Sequence, residues 1–121
     1  GASVLLPTDT GARQLELLHL LDTHWQNAKL AHYPLASLGH TSYNTLEFAK
    51  AQMEWMSDAV IKAFDASGQP LSFKHVAPCL SLEEVAELGE GPKVVCVSTE
   101  ACDMGLSRAA LCEWLDDPTR I

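Results

Sequence analysis

Histidine, cysteine and serine side chains are the groups in this chain that could hold a metal ion or act as nucleophiles. The five histidines form neither an HExxH nor an HxHxDH pattern, and His19 and His24, five residues apart, would diverge on a helix. The four cysteines have no CxxC spacing, and Ser98 and Ser107 lack a GxSxG elbow. We therefore predict no metal site, no cofactor and no local nucleophilic motif, while a Cys/His pair assembled in three dimensions stays open.

The segment PTDTGARQLE connects an apolar stretch to a leucine-rich one, and this strand–turn–helix arrangement holds phosphate in many α/β proteins. Gly11 is the only glycine in the segment and no lysine follows it, so neither GxGxxG nor GxxxxGKS/T is present. Asp9 would in addition repel a phosphate. A turn in which Asp9 or Thr10 caps the following helix is the simpler interpretation, and an α/β module that binds a small anion at Gly11 is the alternative.

Composition indicates a folded domain with an acidic surface. The chain has 121 residues, of which 47% are hydrophobic and 20% charged, and its net charge is −8. Because proteins that bind nucleic acid on their own carry a basic stripe, autonomous nucleic-acid binding is not expected. No apolar run approaches the ~18 residues of a membrane span. We expect a soluble, intracellular protein with reduced cysteines, Cys96 and Cys112 among them buried. The lysines are scattered along the chain at Lys29, Lys50, Lys62, Lys74 and Lys93.

Strand-like and helix-like segments alternate along the chain in four units. This alternation predicts an α/β fold, in which a parallel sheet is flanked by helices on both faces in a Rossmann-like three-layer arrangement. Ser42 and Ser81 are candidate N-caps, and a proline predicts that the second strand lies at an edge or begins late. The predicted strands are Ser3–Pro7, His32–Leu38, Leu71–Val76 and Lys93–Ser98, and the predicted helices are Ala12–Trp25, Ser42–Ala66, Ser81–Leu88 and Leu106–Asp116.

Two of the predicted helices have apolar faces with helical spacing. Phe48 and Trp55, seven residues apart in the longest helix, form a stripe beside its main face. A broad core face is the simpler interpretation of this stripe, and a surface for a partner protein is the alternative. The main faces are Leu15, Leu18, Leu21 and Trp25 in the first helix, and Leu46, Ala49, Met53, Met56, Val60 and Ala63 or Phe64 in the longest one.

Two polar loops follow predicted strands. Thr8–Thr10 follows the first strand and Ser98–Met104 follows the strongest one, and loops at the carboxyl ends of parallel strands build the site in open α/β sheets. We expect the two loops to converge on one cleft with an acidic mouth of Asp9, Glu100 and Asp103. On the residues alone, the prediction is an α/β domain that is not catalytic.

Several long segments together resemble the β-CASP region of the metallo-β-lactamase RNA-processing proteins. They are VLLPTDTGARQLELLHLLDTHW, YPLASL, SYNTLEFAKAQMEWMSD and GPKVVCVSTEACDMGLSRAALCEWLDDP, and the likeness runs through essentially the whole chain. The resemblance implies an α/β domain inserted into a metallo-β-lactamase domain. It also implies that the metal-binding core and the remaining β-CASP strands lie outside residues 1–121.

Departures from the active members of this family fall in the two loops. Where an active nuclease resembles PVFALGR, this chain has PTDTGAR, and where active members carry an SPGM-like loop it has STEA. Glu16 aligns with the family's acidic motif, whose histidine partner would lie after Ile121. The residues that the resemblance and the loops predict to face the cleft are Asp9, Thr10, Arg13, Glu16, Ser98, Glu100 and Arg108.

The resemblance therefore implies a non-catalytic, architectural protein of pre-mRNA 3′-end cleavage and polyadenylation in the nucleus. Its expected partners are the homologous endonuclease and the other subunits of that complex, with pre-mRNA contacted only inside the complex, no membrane and no cofactor. Two alternatives stay open: part of an active metallo-β-lactamase/β-CASP ribonuclease, and the free-standing anion-binding module.

Overall fold

Strands and helices alternate along the chain as predicted. The computed structural model describes residues 2–9, 11–51, 58, 62, 73–115 and 117. Over these residues the strands are β1 (Val4–Thr8), β2 (Leu35–Leu38), β3 (Val76–Cys79) and β4 (Val94–Ser98). The helices are α1 (Ala12–Ala28), α2 (Ser42–Ala51), α3 (Leu82–Glu87) and α4 (Gly105–Trp114).

The four strands form one parallel sheet in the order β1-β4-β2-β3. β4 pairs with β1 on one side and with β2 on the other, and Val95, Cys96 and Val97 at its centre are fully buried. A continuous β-branched run is typical of a strand covered on both faces, which explains why β4 was the clearest strand in the sequence. The predicted α/β fold with a parallel sheet is confirmed.

Helices cover both faces of the sheet, because alternate residues of each strand point to opposite sides. On one face α1 and α2 pack on a cluster of buried side chains: Leu18, Trp25, Leu35, Leu46, Val76 and Cys96. On the other face α3 and α4 pack on a second cluster: Leu5, Ala36, Leu38, Cys79, Val85, Val95, Val97, Ala110 and Trp114.

The buried stripe of α1 differs from the prediction. Its buried positions are Gln14, Leu18, Asp22 and Trp25, whereas the predicted Leu15 and Leu21 are only half-buried. The Gln14 amide donates to the Ser37 hydroxyl at 3.5 Å, and the Asp22 carboxylate accepts the backbone N–H of His75 at 2.7 Å. Both polar side chains therefore face the sheet because they bind groups there, one near each end of the helix.

The predicted edge position of the second strand is wrong, although its predicted late start is confirmed. β2 begins at Leu35, directly after Pro34, and lies between β4 and β3. Because Pro34 precedes the paired residues, its missing N–H removes no ladder bond, and its carbonyl accepts the N–H of Val94 at 2.9 Å.

The third strand lies later in the chain than predicted. It spans Val76–Cys79 rather than Leu71–Val76 and includes Pro78. The N–H of His75 is bound to Asp22, so pairing starts only after it. The carbonyl of Cys79 faces β2, because it accepts the N–H of Gly39, the residue after β2. Backbone groups of successive strand residues face opposite sides, so the nitrogen of Pro78 faces the outer side of β3, which is an edge strand. A proline is tolerated there because no ladder bond needs its N–H.

The helix starts agree with the predictions more closely. The Ser81 hydroxyl accepts the N–H of Glu84 at 3.4 Å and caps α3, as predicted, while the Glu84 carboxylate accepts the N–H of Leu80. α2 begins at Ser42, which is therefore its first helical residue rather than the predicted N-cap, and the helix buries Leu46 and Ala49. Its predicted continuation to residue 66 and the rest of its predicted apolar face lie largely outside the described residues.

Two side chains predicted to be buried are exposed. Cys112 lies on the outer face of α4, because Ser107, Ala110 and Trp114 form the buried face. Phe48 is 67% exposed on α2, so the core interpretation of the Phe48/Trp55 stripe is wrong for Phe48. Trp55 lies outside the described residues. In the described part of the chain, no helix has the length and apolar character that crossing a membrane requires.

Two leucines of α1 provide a test of this packing. Leu18 is 1% exposed against the sheet and Leu20, two residues later, is 68% exposed. We expect Leu18→Ala to lower the free energy of unfolding by ~2–5 kcal/mol, because it leaves a cavity between α1 and the sheet. The matched Leu20→Ala change is expected to stay within ~0.5 kcal/mol. Urea denaturation followed by circular dichroism measures both, and equal losses would contradict the placement of α1.

Candidate functional site at the carboxyl edge of the sheet

The carboxyl ends of β1 and β4 lie side by side. Thr8 and Ser98, the last residues of these strands, are register partners. The connection after β1 leads to α1 on one face of the sheet, and the connection after β4 leads to α4 on the other. Neighbouring strands whose connections diverge in this way form the crevice in which open α/β sheets place their ligands. The two predicted loops therefore leave the same edge.

The first loop is organised by Asp9. Its Oδ1 accepts the N–H of Gly11 at 3.3 Å, and its Oδ2 lies 3.9 Å from Nε of Arg13 in an exposed pair. Such exposed pairs contribute little to stability, but Arg13 offsets part of the negative charge at this loop. The predicted cap by Asp9 is wrong: the N-cap of α1 is Gly11, and the Asp9 carboxylate binds the N–H of Gly11 itself. Thr10 lies outside the described residues.

The hydroxyl groups of Ser107 and Thr99 anchor the second loop, which follows β4. Ser107, fully buried at the start of α4, donates to the carbonyl of Met104 at 3.1 Å, and its oxygen is 3.3 Å from Oγ1 of Thr99. The N–H of Cys102 donates to the carbonyl of Thr99 at 3.4 Å and closes a turn. This anchoring leaves Glu100 and Asp103 exposed at the rim.

The remaining predicted cleft residues lie on the two helices that flank the crevice. Glu16 is exposed on α1 and Arg108 is exposed on α4, and each is one turn into its helix. Ser98 is half-buried at the end of β4. The side chains of the predicted set thus surround one edge, and their role as cleft-facing residues stays a prediction.

Three buried polar side chains beneath this edge were not predicted: Gln14, Ser37 and Ser42. Together with the half-buried Ser98 we call them the carboxyl-edge cluster, and Gly39 lies against the hydroxyls of Ser42 and Ser98. The Ser37 hydroxyl accepts from Gln14 and donates to Ser42, each over 3.5 Å, and all three side chains are at most 6% exposed. Gln14 lies in α1, Ser37 in β2 and Ser42 in α2, so these contacts fasten α1 and α2 to the sheet. The only sequence signal was a set of small polar residues at strand ends.

The buried thiols are poor nucleophiles. Burial raises the pKa of the Cys96 thiol to about 12. Burial, reinforced by the negative charge of Glu84, raises the pKa of Cys79 to about 11. Because the thiolate is the reactive form, both side chains stay protonated at neutral pH and act as small core residues. A Cys/His nucleophile built on either of them is therefore disfavoured.

A cavity of about 420 Å³ opens at the opposite, amino edge of the sheet, between α3 and α4. Its floor includes Val85 and Trp114, and Ser3 and Lys93 line it where β1 and β4 begin. The Lys93 ammonium donates to the carbonyl of Val85, in the last turn of α3, and to the carbonyl of Gly89, just after the helix. The part of the chain that the structure describes contains no group of three or more His, Cys, Asp or Glu side chains placed to hold a metal ion.

Comparison with known proteins gives a consistent result over nearly the whole chain. The family model described as the Beta-Casp domain matches residues 14–120. The chain is 47% identical over 93% of its length to the probable cleavage and polyadenylation specificity factor subunit 2 of Drosophila melanogaster. It is 34% identical over 100% of its length to the subunit 2 of Arabidopsis thaliana. The endoribonuclease ysh1 of Schizosaccharomyces pombe is 29% identical over 98% of the chain.

The chain corresponds to a small part of these relatives. It covers 15% of the Drosophila protein, 16% of the Arabidopsis protein and 15% of ysh1.

Two glycines at this edge test the packing of the carboxyl-edge cluster. A Cβ at Gly39 would lie 3.0 Å from Oγ of Ser42 and 3.3 Å from Oγ of Ser98, whereas a Cβ at Gly11 would meet nothing within 4 Å. We expect Gly39→Ala to lower the free energy of unfolding by ~1–3 kcal/mol, because the hydroxyls must move apart. Gly11→Ala serves as the control and is expected to change it by less than ~1 kcal/mol. Thermal denaturation of both variants measures the difference, and a neutral Gly39→Ala would show that the cluster is loosely packed.

Proposed function

This chain belongs to the Beta-Casp family, and from that premise we propose that the full-length protein is a non-catalytic, architectural subunit of the mRNA 3′-end cleavage and polyadenylation complex. The observation that carries the proposal is the 47% identity to a subunit 2 protein over 93% of the chain. Within one organism, Arabidopsis thaliana, identity is 34% to subunit 2 and 29% to subunit 3-I. The pattern of residues therefore favours the subunit 2 branch over the nuclease branch.

The residues at the carboxyl edge are consistent with an architectural, non-catalytic role. Its two loops present Asp9, Glu100 and Asp103, which repel the phosphates of an RNA strand. The hydroxyls below them bind one another, Gln14 or backbone carbonyls, as they would in a rigid scaffold. A serine or threonine hydroxyl becomes a nucleophile only beside a general base. The crevice thus lies where α/β proteins place their sites, but its polar residues are suited to holding the helices and loops on the sheet.

In this proposal the β-CASP fragment works inside a larger assembly in the nucleus. The metallo-β-lactamase domain and the remaining β-CASP strands belong to the rest of the polypeptide. The homologous endonuclease is the main partner, other subunits of the complex join it, and pre-mRNA is contacted only within the complex. The candidate residues at the carboxyl edge act as positioning and packing groups, and no cofactor is assigned to this chain.

A cleavage assay separates this function from that of an active ribonuclease. Full-length protein incubated alone with a pre-mRNA and either zinc or manganese is expected to leave the RNA intact, while the complex reconstituted with the endonuclease cleaves it. A reconstitution lacking only the full-length protein is expected to lose cleavage because the assembly fails. Specific cleavage by the protein alone would overturn the proposal in favour of the nuclease alternative.

The exposed ring of Phe48 is the proposed contact with a partner subunit, together with the predicted Trp55. Phe48 is 67% exposed on α2, and Leu20 on α1 is 68% exposed. We expect Phe48→Ala to weaken assembly with the endonuclease, because contacts of exposed aromatic residues dominate many interfaces. Its free energy of unfolding should change by less than ~1 kcal/mol.

Leu20→Ala is the matched control, since it truncates an equally exposed apolar side chain on another helix. Co-purification of both variants with the endonuclease, alongside thermal denaturation, makes the comparison. Equal assembly of the two variants would exclude Phe48 from the interface.

A further inference from the structure

The connection from α3 to β4 borders the cavity at the amino edge of the sheet, which we call the amino-edge cavity. Its volume of about 420 Å³ is within the ~300–1,000 Å³ that is usual for ligand pockets in proteins. Two glycines of the connection line it, and a Cβ at Gly89 or Gly91 would meet nothing within 4 Å. The space beside the connection is therefore open to an occupant.

The floor of the amino-edge cavity is apolar. Val85 of α3 is 3% exposed and Trp114 of α4 is 6% exposed, and both belong to the core on this face of the sheet. Leu82 and Ala86 of α3 and Pro92 of the connection add further apolar surface to the lining. A side chain that covers this surface removes it from water, which favours binding.

The charge of the lining is negative. Among the described residues, carboxylates reach the cavity from Glu90 after α3, from Glu113 of α4 and from Asp117 after that helix. The ammonium of Lys93 also lines it and donates to two backbone carbonyls at the end of α3, so it forms part of the wall. Three carboxylates and one ammonium give these residues a formal charge of −2.

An arginine side chain has the two properties that this lining favours. Its aliphatic stem covers apolar surface while its guanidinium stays within reach of carboxylates, and the planar group stacks on aromatic rings. A ligand that carries phosphate would be repelled by the carboxylates. A purely apolar side chain would remove water from the carboxylates without offering them a hydrogen-bond donor.

We propose that the amino-edge cavity is a docking site for a basic segment of another protein, which places an arginine on the Trp114 floor and pairs it with Glu90 and Glu113. In taking a protein segment as the occupant, the inference rests on the proposed function, because an architectural subunit works through contacts with other proteins. The cavity lies on the face of the sheet that α3 and α4 cover, whereas Phe48 lies on α2 on the other face. Two different partner segments can therefore bind at once.

A variant that fills the cavity tests the proposal by shape. The probe is a short fluorescent peptide of alternating arginine and leucine, titrated into the full-length protein and followed by anisotropy. We expect saturable binding with a Kd below about 1 mM, and no binding of a peptide with glutamate in place of arginine. Ala86→Phe is expected to weaken binding about tenfold or more, because Ala86 is exposed and lines the cavity.

Ala109→Phe is the matched control, since Ala109 is exposed on α4 and does not line the cavity. It is expected to change the affinity by less than about twofold. Equal binding by the two phenylalanine variants would overturn the proposal. So would the absence of saturable binding of the arginine peptide to the unchanged protein, or equal binding of the glutamate peptide.

Charge variants decide the matter if Ala86→Phe fails to fold. Glu90→Gln combined with Glu113→Gln is expected to weaken binding about fivefold or more at low ionic strength, because the arginine loses both of its partners. Glu47→Gln combined with Glu87→Gln removes the same charge from two exposed residues outside the lining and should change the affinity by less than about twofold. If the two double variants bind alike, the proposal is wrong.

A competition experiment separates a protein segment from a free polyamine. Spermine is expected to displace the labelled peptide only at much higher concentration than the unlabelled peptide does, because spermine has no side chain to cover the apolar floor. Displacement at the same concentration would assign the cavity to a polyamine and overturn the proposal. The binding assay contains neither RNA nor the endonuclease, so its failure is distinguishable from failure of the proposed function in the cleavage assay.

Discussion

The pairing of β4 on both of its sides is the constraint from which the arrangement of the molecule follows. Its central residues are buried on both faces, and its register with β1 and β2 aligns the ends of three strands. Because all strands run parallel, their connections must cross the sheet through helices, and those helices cover both faces. The carboxyl edge of the sheet therefore carries the connections that lead from strands into helices, and the amino edge carries those that lead from helices into strands.

The two edges are held by different polar contacts, and this gives them different surfaces. At the carboxyl edge, hydroxyls and the Gln14 amide fill the space beneath the loops, so the carboxylates of those loops point to solvent. At the amino edge, the buried Asp22 carboxylate accepts the N–H of His75 and so binds the backbone that leads into β3. The Gln14 and Asp22 contacts together fasten α1 to the sheet at both edges.

The sequence predicted what short-range patterns encode. The β-branched run of β4, the alternation of strands and helices and the Ser81 cap depend on neighbours in the chain. The position of β3 and the buried stripe of α1 depend on the contact between Asp22 and His75, which no local pattern contains. The cleft loops, in contrast, could be predicted, since topology alone places them at one edge.

The central claim is that the acidic carboxyl edge of this fragment serves as scaffold and does not contact RNA. The most direct measurement is photocrosslinking of a 4-thiouridine-substituted pre-mRNA to the assembled complex, with the crosslinked peptides identified by mass spectrometry. The account predicts no crosslinks within the loop that carries Glu100 and Asp103. Crosslinks in that loop would contradict it.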